Sequence, residues 1–202
     1  MALTSLILTL SSFAQAADRD LSHFLQPGTP MAGVDGSLSH WLNPANLAFD
    51  PDQTGALFIQ GLDDIDDSTW AMTTGSDGSS FGFIHHRTST DDRFYGLSLA
   101  SGAEISDSFS LGSSAQWNWG RGRDGYLTAD FGFAIRPASW LGIAGTIRNA
   151  VGRRYDTPAT YSTGAVLRPL GNALQLGVDY TVATDAESLI EGTTRGIVVL
   201  EA

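Results

Sequence analysis

Three groups of side chains have the types and spacing to do chemistry. His85 and His86 are adjacent. On an extended strand neighbouring side chains point to opposite faces, so the two rings cannot share a metal, and a loop-edge pair is the plainer reading. Asp63, Asp64, Asp66 and Asp67 form the densest acidic cluster. Carboxylates suit Ca²⁺, but the run lacks the spacing and glycine of an EF-hand loop and reads better as a solvated hairpin turn. Asp130, Arg136, Arg148 and Asp179 are charges set among small, uncharged strand residues. If those strands enclose an interior, the charges must face it and pair there, Asp130 and Asp179 with Arg136 or Arg148, because a lone buried charge is costly. Gly120-Arg121-Gly122-Arg123 lacks the helix that a dinucleotide fingerprint opens. No nucleophile-elbow, zinc-protease or phosphate-loop pattern occurs. No catalytic residue, metal ligand or cofactor is expected, and the chain is not expected to be an enzyme.

The elements that must position these residues are strands. In 125–136, Leu127, Ala129, Phe131, Phe133 and Ile135 share one face, and Tyr126, Thr128, Asp130, Gly132, Ala134 and Arg136 the other. The segment 140–150 repeats the pattern. Eleven strand residues span about 36 Å, and tilted by roughly 45° such a strand crosses a bilayer core. Similar segments occur at 54–61, 67–75, 80–88, 92–101, 108–120, 160–169, 172–183 and 193–200. Short connections join them all, which predicts an antiparallel up-and-down meander of about ten strands. Two connections, Arg136-Pro137-Ala138-Ser139-Trp140 and Arg168-Pro169-Leu170-Gly171-Asn172, read as tight turns on one rim. Those at 85–93, 120–125 and 150–159 are longer and more charged. Barrels have short periplasmic turns and longer external loops. The polar face is built from Gly, Ser, Ala, Asn and Gln rather than the Lys and Glu of a solvated strand. Trp70, Trp117, Trp119, Trp140, Tyr126, Tyr155, Tyr161 and Tyr180 fall near strand ends, as aromatic girdles do.

Composition narrows the function. The 202 residues fit one domain and include no cysteine and no lysine; all 11 basic residues are arginine. With 22 acidic residues the formal net charge is −11, which argues against a nucleic-acid partner. No run of 18 apolar residues suggests a spanning helix, but barrels never show one. Residues 1–16, MALTSLILTLSSFAQA, read as a secretory signal peptide, with an apolar core at 3–10 and an Ala14-Gln15-Ala16 cleavage pattern. Residues 17–53 are irregular. Within them Asn43 and Pro44 can cap and start a single helical turn at 45–48.

The Asn43-Pro44-Ala45 stretch, placed between the leader and the first strand, resembles the start of proteins in the long-chain fatty-acid transporter and type IX secretion outer-membrane superfamily. The resemblance implies that 17–53 lies at or inside a barrel wall near the periplasmic mouth and that small apolar molecules are the ligands. Alternating strands joined by Arg-Pro turns are also similar to the barrel-like segment ahead of some signal peptide peptidase A domains. None of the protease's catalytic residues can be placed here, so its activity is not carried over. Barrels commonly end on an aromatic residue, as the first resemblance implies, whereas this chain ends Leu200-Glu201-Ala202. Either the wall continues in a longer parent or the barrel is not of the standard kind.

The expectation is an all-β transmembrane barrel of about ten strands, complete or part of a larger one. Its leader is 1–16, its irregular plug 17–53 and its wall 54–202. It would lie in the outer membrane with lipid as its partner and would pass small apolar molecules or act as an anchor. The rival readings are a non-catalytic domain of a membrane-associated peptidase and an exported soluble β-sandwich binding module.

Overall fold

A computed structural model describes residues 5–10, 30–49, 52–60, 68–87, 93–120, 123–151, 158–184 and 192–201. The chain is all-β. Its strands are β1 (Ser5–Leu10), β2 (Thr54–Gln60), β3 (Ser68–Ser76), β4 (Ser79–Arg87), β5 (Arg93–Ser106), β6 (Phe109–Gly120), β7 (Arg123–Ala138), β8 (Leu141–Val151), β9 (Thr160–Leu167), β10 (Pro169–Asn172), β11 (Leu174–Ala183) and β12 (Thr193–Glu201). Eleven of them form one sheet in the order β1-β12-β11-β9-β8-β7-β6-β5-β4-β3-β2, and β10 lies outside that order at a hairpin tip. From β2 onward each sheet strand pairs antiparallel with the next, giving the up-and-down meander. No ladder joins β1 to β2 among the described residues, so the sheet has two edges.

Tight turns set the register. Asp77 and Gly78 both have positive φ, 50° and 73°, as a two-residue primed turn requires, and they join β3 to β4. Asp107 and Ser108 join β5 to β6, so β5 runs five residues past the expected end at 101. Arg136 and Pro137 do not form the turn that the sequence suggested. β7 continues through them to Ala138, the Arg136 N–H donates to Ser108 O at 2.7 Å, and the chain reverses at Ser139-Trp140. Pro137 is tolerated because the β7–β8 ladder shifts register between Ile135 and Ala138, where its missing N–H is not needed.

Part of the segment read as a leader is also a strand. Ser5–Leu10 pairs with β12 over six positions, from Ser5 opposite Glu201 to Leu10 opposite Gly196.

The two faces of the sheet differ in chemistry. On one, Thr73, Ser80, Ser98, Ser110, Ser114, Asn118, Thr128 and Asp179 are buried. On the other, large apolar side chains stand exposed along the sheet from Leu57 on β2 (66 %) through Leu99, Leu111, Trp117, Leu127 and Phe131 to Leu200 on β12. The buried polar face is covered by residues 30–49, which form a 3₁₀ turn (Gly36–Leu38), a short helix α1 (Ser39–Leu42) and a second 3₁₀ turn (Pro44–Phe49).

This segment requires the sheet to curl. Its Ser37 N–H donates to Thr54 Oγ1 on β2 at 2.8 Å, and its Met31 N–H to the Asp179 carboxylate on β11 at 3.1–3.2 Å. Met31 and Ser37 are six residues apart, a reach of at most roughly 22 Å if extended, and here the chain between them turns at Gly33. In a flat sheet β2 and β11 would stand about 38 Å apart, eight strand spacings. The wall therefore wraps around 30–49.

Candidate functional site

Among the described residues, polar chemistry concentrates at the interior segment and its sockets. Asn43 caps the second 3₁₀ turn, its Oδ1 accepting from the Ala45 N–H at 3.1 Å. The same side chain donates through Nδ2 to Phe133 O on β7 at 2.9 Å. Asn46 Nδ2 donates to Met31 O at 2.7 Å and closes the segment on itself. The Asn-Pro-Ala-Asn stretch is thus a folded knot with one hand on the wall. Inward glycines make room for it. A Cβ on Gly112 would lie 2.3 Å from Ala45 N, one on Gly102 2.6 Å from Pro44 O, and one on Gly132 2.1 Å from Asn43 Oδ1. The floor of the wall is bare of side chains where the segment's backbone rests on it.

Around this floor the wall grips the segment with four polar groups. The Ser110 hydroxyl donates to Ala45 O at 2.8 Å. Thr73 donates to Ser37 O at 2.8 Å. Arg148 donates to Trp41 O at 2.7 Å and Leu42 O at 3.5 Å, carbonyls left open at the end of α1. Asp179 holds the Met31 N–H and pairs with Arg195 at 3.0 Å. Apolar contacts add to these: Met31, Ala32 and Ala45 pack with Ala134, Ala144 and Val166, and Trp41 with Ala71 and Ile84.

At the tight-turn rim two arginines converge on one carboxylate. Arg136 pairs with Asp35 and also donates to Val34 O and Asn46 Oδ1, each at 3.3 Å, with its guanidinium 4.3 Å from the centre of the Phe49 ring. Arg168 reaches the other Asp35 oxygen at 3.4 Å and donates to Gly33 O at 2.5 Å. These are the arginines of the two Arg-Pro sequences, so the repeat marks two jaws of one latch. The Asp35 side chain is 41 % exposed, so solvent weakens the ion pairs and the bonds to buried backbone carbonyls matter more. A cavity of ≈580 Å³, lined by Ala32, Asp35, Phe49, Asp107, Arg136 and Arg168 among others, opens at this latch.

His40 is the deepest titratable group of the segment. Its Nδ1 and Nε2 each lie 2.5 Å from a serine hydroxyl, Ser80 on β4 and Ser98 on β5. Ser98 also donates to Gly82 O at 3.3 Å, so its oxygen is left to accept from Nε2–H while Ser80 donates to Nδ1. Burial lowers the His40 pKa to about 4 from 6.5. The unfolded chain therefore binds a proton below pH 6.5 that the fold refuses. Stability from this source is complete above pH 6.5 and falls as the pH drops from 6.5 toward 4, by about 3 kcal/mol in all. Unfolding midpoints measured at pH 7 and pH 4.5 should diverge by more in the native protein than in His40→Gln. Equal divergence would mean that the ring is already charged in the fold.

The charges that the sequence singled out all lie on the concave face, but in different roles. Arg136, Arg148 and Asp179 bind the interior segment. Asp130 holds the wall itself, accepting from Ser114 Oγ at 3.2 Å and from the Asn149 N–H at 2.8 Å. Asn149 has φ 52°, a left-handed conformation close to where the β7–β8 ladder slips. The expected pairing of Asp179 with Arg136 or Arg148 is replaced by Arg195, and Arg136 pairs with Asp35. His85 and His86 do face opposite ways. His86 is buried, 2.7 Å from Thr69 Oγ1, and His85 lies outside between Trp70 and Tyr95. The Asp63–Asp67 cluster lies outside the described residues, as do Arg153, Arg154, Tyr155 and Asp156. Among the described residues no three His, Asp or Glu side chains gather as a metal site would need. Asp35, Arg168, His40 and Arg195 escaped the sequence reading; only Arg168 carried a signal, the second Arg-Pro pair.

Compared with known protein families, curated proteins and solved structures, the chain matches none.

Proposed function

We propose that this protein is an outer-membrane β-barrel whose lumen is occupied by its own residues 30–49, and that it serves to anchor rather than as an open pore. The observation that carries the reading is the polarity of the sheet: large apolar side chains stand outward along nearly every strand while the concave face carries mostly small or polar side chains, with a few branched ones such as Ile84 and Val166. Soluble proteins rarely leave so large an apolar face bare, and lipid-facing barrel walls are built this way. The outward cluster of Trp70, Phe83, Tyr95 and Trp119 near the long-loop ends fits an interfacial girdle. The leader at 1–16 and the resemblance to the fatty-acid transporter superfamily point the same way. No catalytic role is proposed.

Passage of small apolar molecules is the second reading. The rim cavity favours it, because it ends on a latch made of polar contacts that can be exchanged for water.

The native protein should fractionate with outer membranes, require detergent and migrate faster on gels unless boiled. In planar bilayers it should carry no steady ion current, while Arg136→Ala combined with Arg168→Ala should give frequent openings. A chain that stays in buffer without detergent after leader removal sinks the membrane reading. Steady conductance in the native protein sinks the occluded lumen.

A further inference from the structure

The two edges of the sheet are related. The meander from β2 to β12 has ten ladder strands and is antiparallel at every step, so β2 and β12 run in opposite directions. β1 pairs antiparallel with β12 and therefore runs the same way as β2. It sits where an antiparallel β2 would have to sit for the wall to close. The interior segment holds the ends near each other, because Ser37 is bonded to Thr54 at the start of β2 and Met31 to Asp179 on β11, the neighbour of β12. In hydrocarbon each unpaired backbone group of an open edge costs several kcal/mol, so a wall in lipid needs that seam filled.

We propose that the edge of β12 is a strand-binding site used in turn by two segments of this chain: β1 while the leader is attached, and β2 once the leader has been removed, so that leader cleavage closes a ten-stranded barrel. This rests on the membrane reading above. β2 is the favoured successor because its direction is right and its tether to 30–49 keeps it at high local concentration, an advantage a second copy lacks.

The absence of native cysteine makes the test clean. Leu57 on β2 and Val198 on β12 both face outward, and Leu8 is the register partner of Val198. Leu57→Cys is combined with Gly196→Cys, Val198→Cys or Leu200→Cys, which covers a shift of register. Leu8→Cys with Val198→Cys reports the leader strand. Each is oxidised mildly in two preparations: processed protein extracted from membranes, and the full-length chain refolded in detergent with its leader intact. The β2–β12 cross-link should form several-fold more in the processed protein, and the Leu8–Val198 cross-link should form in the leader-bearing chain. Equal β2–β12 cross-linking in both preparations overturns the exchange. So does a cross-link that joins two chains, which would give the edge to a second copy. Failure of every β2–β12 pair in processed protein that still shows the heat-dependent gel shift overturns the proposal and leaves the membrane reading standing. Loss of the gel shift and of the need for detergent removes both.

Discussion

Arginine at Leu127 and Phe131 together is expected to abolish membrane assembly. Both side chains stand on the outward face of β7, the longest strand, and are 53 % and 47 % exposed. Phe131 lies at mid-strand and Leu127 four residues in from the start of β7. An arginine at the midplane of a lipid-facing wall costs ~2–4 kcal/mol and less toward an interface, so the pair together costs about 3–6 kcal/mol, a large share of the stability of a domain. The heat-dependent gel shift should vanish and the chain should collect in the aggregated fraction. A soluble sheet of the same fold predicts the opposite. There the outward face meets water, exposed substitutions change stability by about 0.5 kcal/mol or less, and solubility improves. Full retention of folded protein in the double variant would therefore reverse the assignment of the apolar face.

The second large effect is expected from Gly112→Val. An added Cβ would fall 2.3 Å from Ala45 N and 2.6 Å from Ala45 Cα. These are backbone atoms in a 3₁₀ turn already fixed by Asn43 and Ser110, so no flexible side chain can give way. Either the wall bends or the segment leaves. Overpacking costs of ~1–3 kcal/mol are ordinary, and contact with rigid backbone lies at or above the upper end. The segment is held mainly by exchangeable polar bonds, whereas the wall is held by continuous ladders, so the segment should yield. The expected result is a folded wall with an opened lumen: steady conductance, and proteolytic cleavage near Asp35 that the native protein resists. Gly196→Val is the control, since a Cβ there meets nothing within 4 Å. A Gly112→Val protein that remains sealed and protease-resistant would mean that the glycine floor is not what admits the segment.

The wall was legible in the sequence because a period of two is a local property and its punctuation is local too. Segments such as 54–61, 80–88 and 140–150 needed only alternation and the small turn residues beside them. Legibility failed where local chemistry conflicts with the ladder. Gly102 to Ser106 lose the alternation yet stay paired with β6, and Pro137 suggested a turn although the β7 backbone continues past it. The interior contacts were beyond reach for another reason. Asp35 and Arg136 are 101 residues apart, and His40 meets Ser80 and Ser98 at separations of 40 and 58. Such partners are set by how far the wall curls, which alternation does not encode. Arginines at the ends of strands suggested only that charges would turn inward. Their convergence on one carboxylate needed the register of three hairpins and the path of a segment with no periodicity of its own.

The bond from Met31 to Asp179 joins positions 148 residues apart. The segment that fills the interior is made before any meander strand, yet its bonds run along the meander from Thr54 on β2 to Asp179 on β11, which comes near the end of the chain. It is first in synthesis and last to be fixed, and loop closure on that scale is slow. Until β11 is in place the Met31 N–H, buried in the finished molecule, lacks its carboxylate partner, and Met31, Ala32 and Ala45 have already had to wait for Ala144 and Val166 of β8 and β9. The vulnerable stage in the life of this protein is therefore kinetic: an interval in which its core exists as an unsheltered strand of chain waiting for its walls.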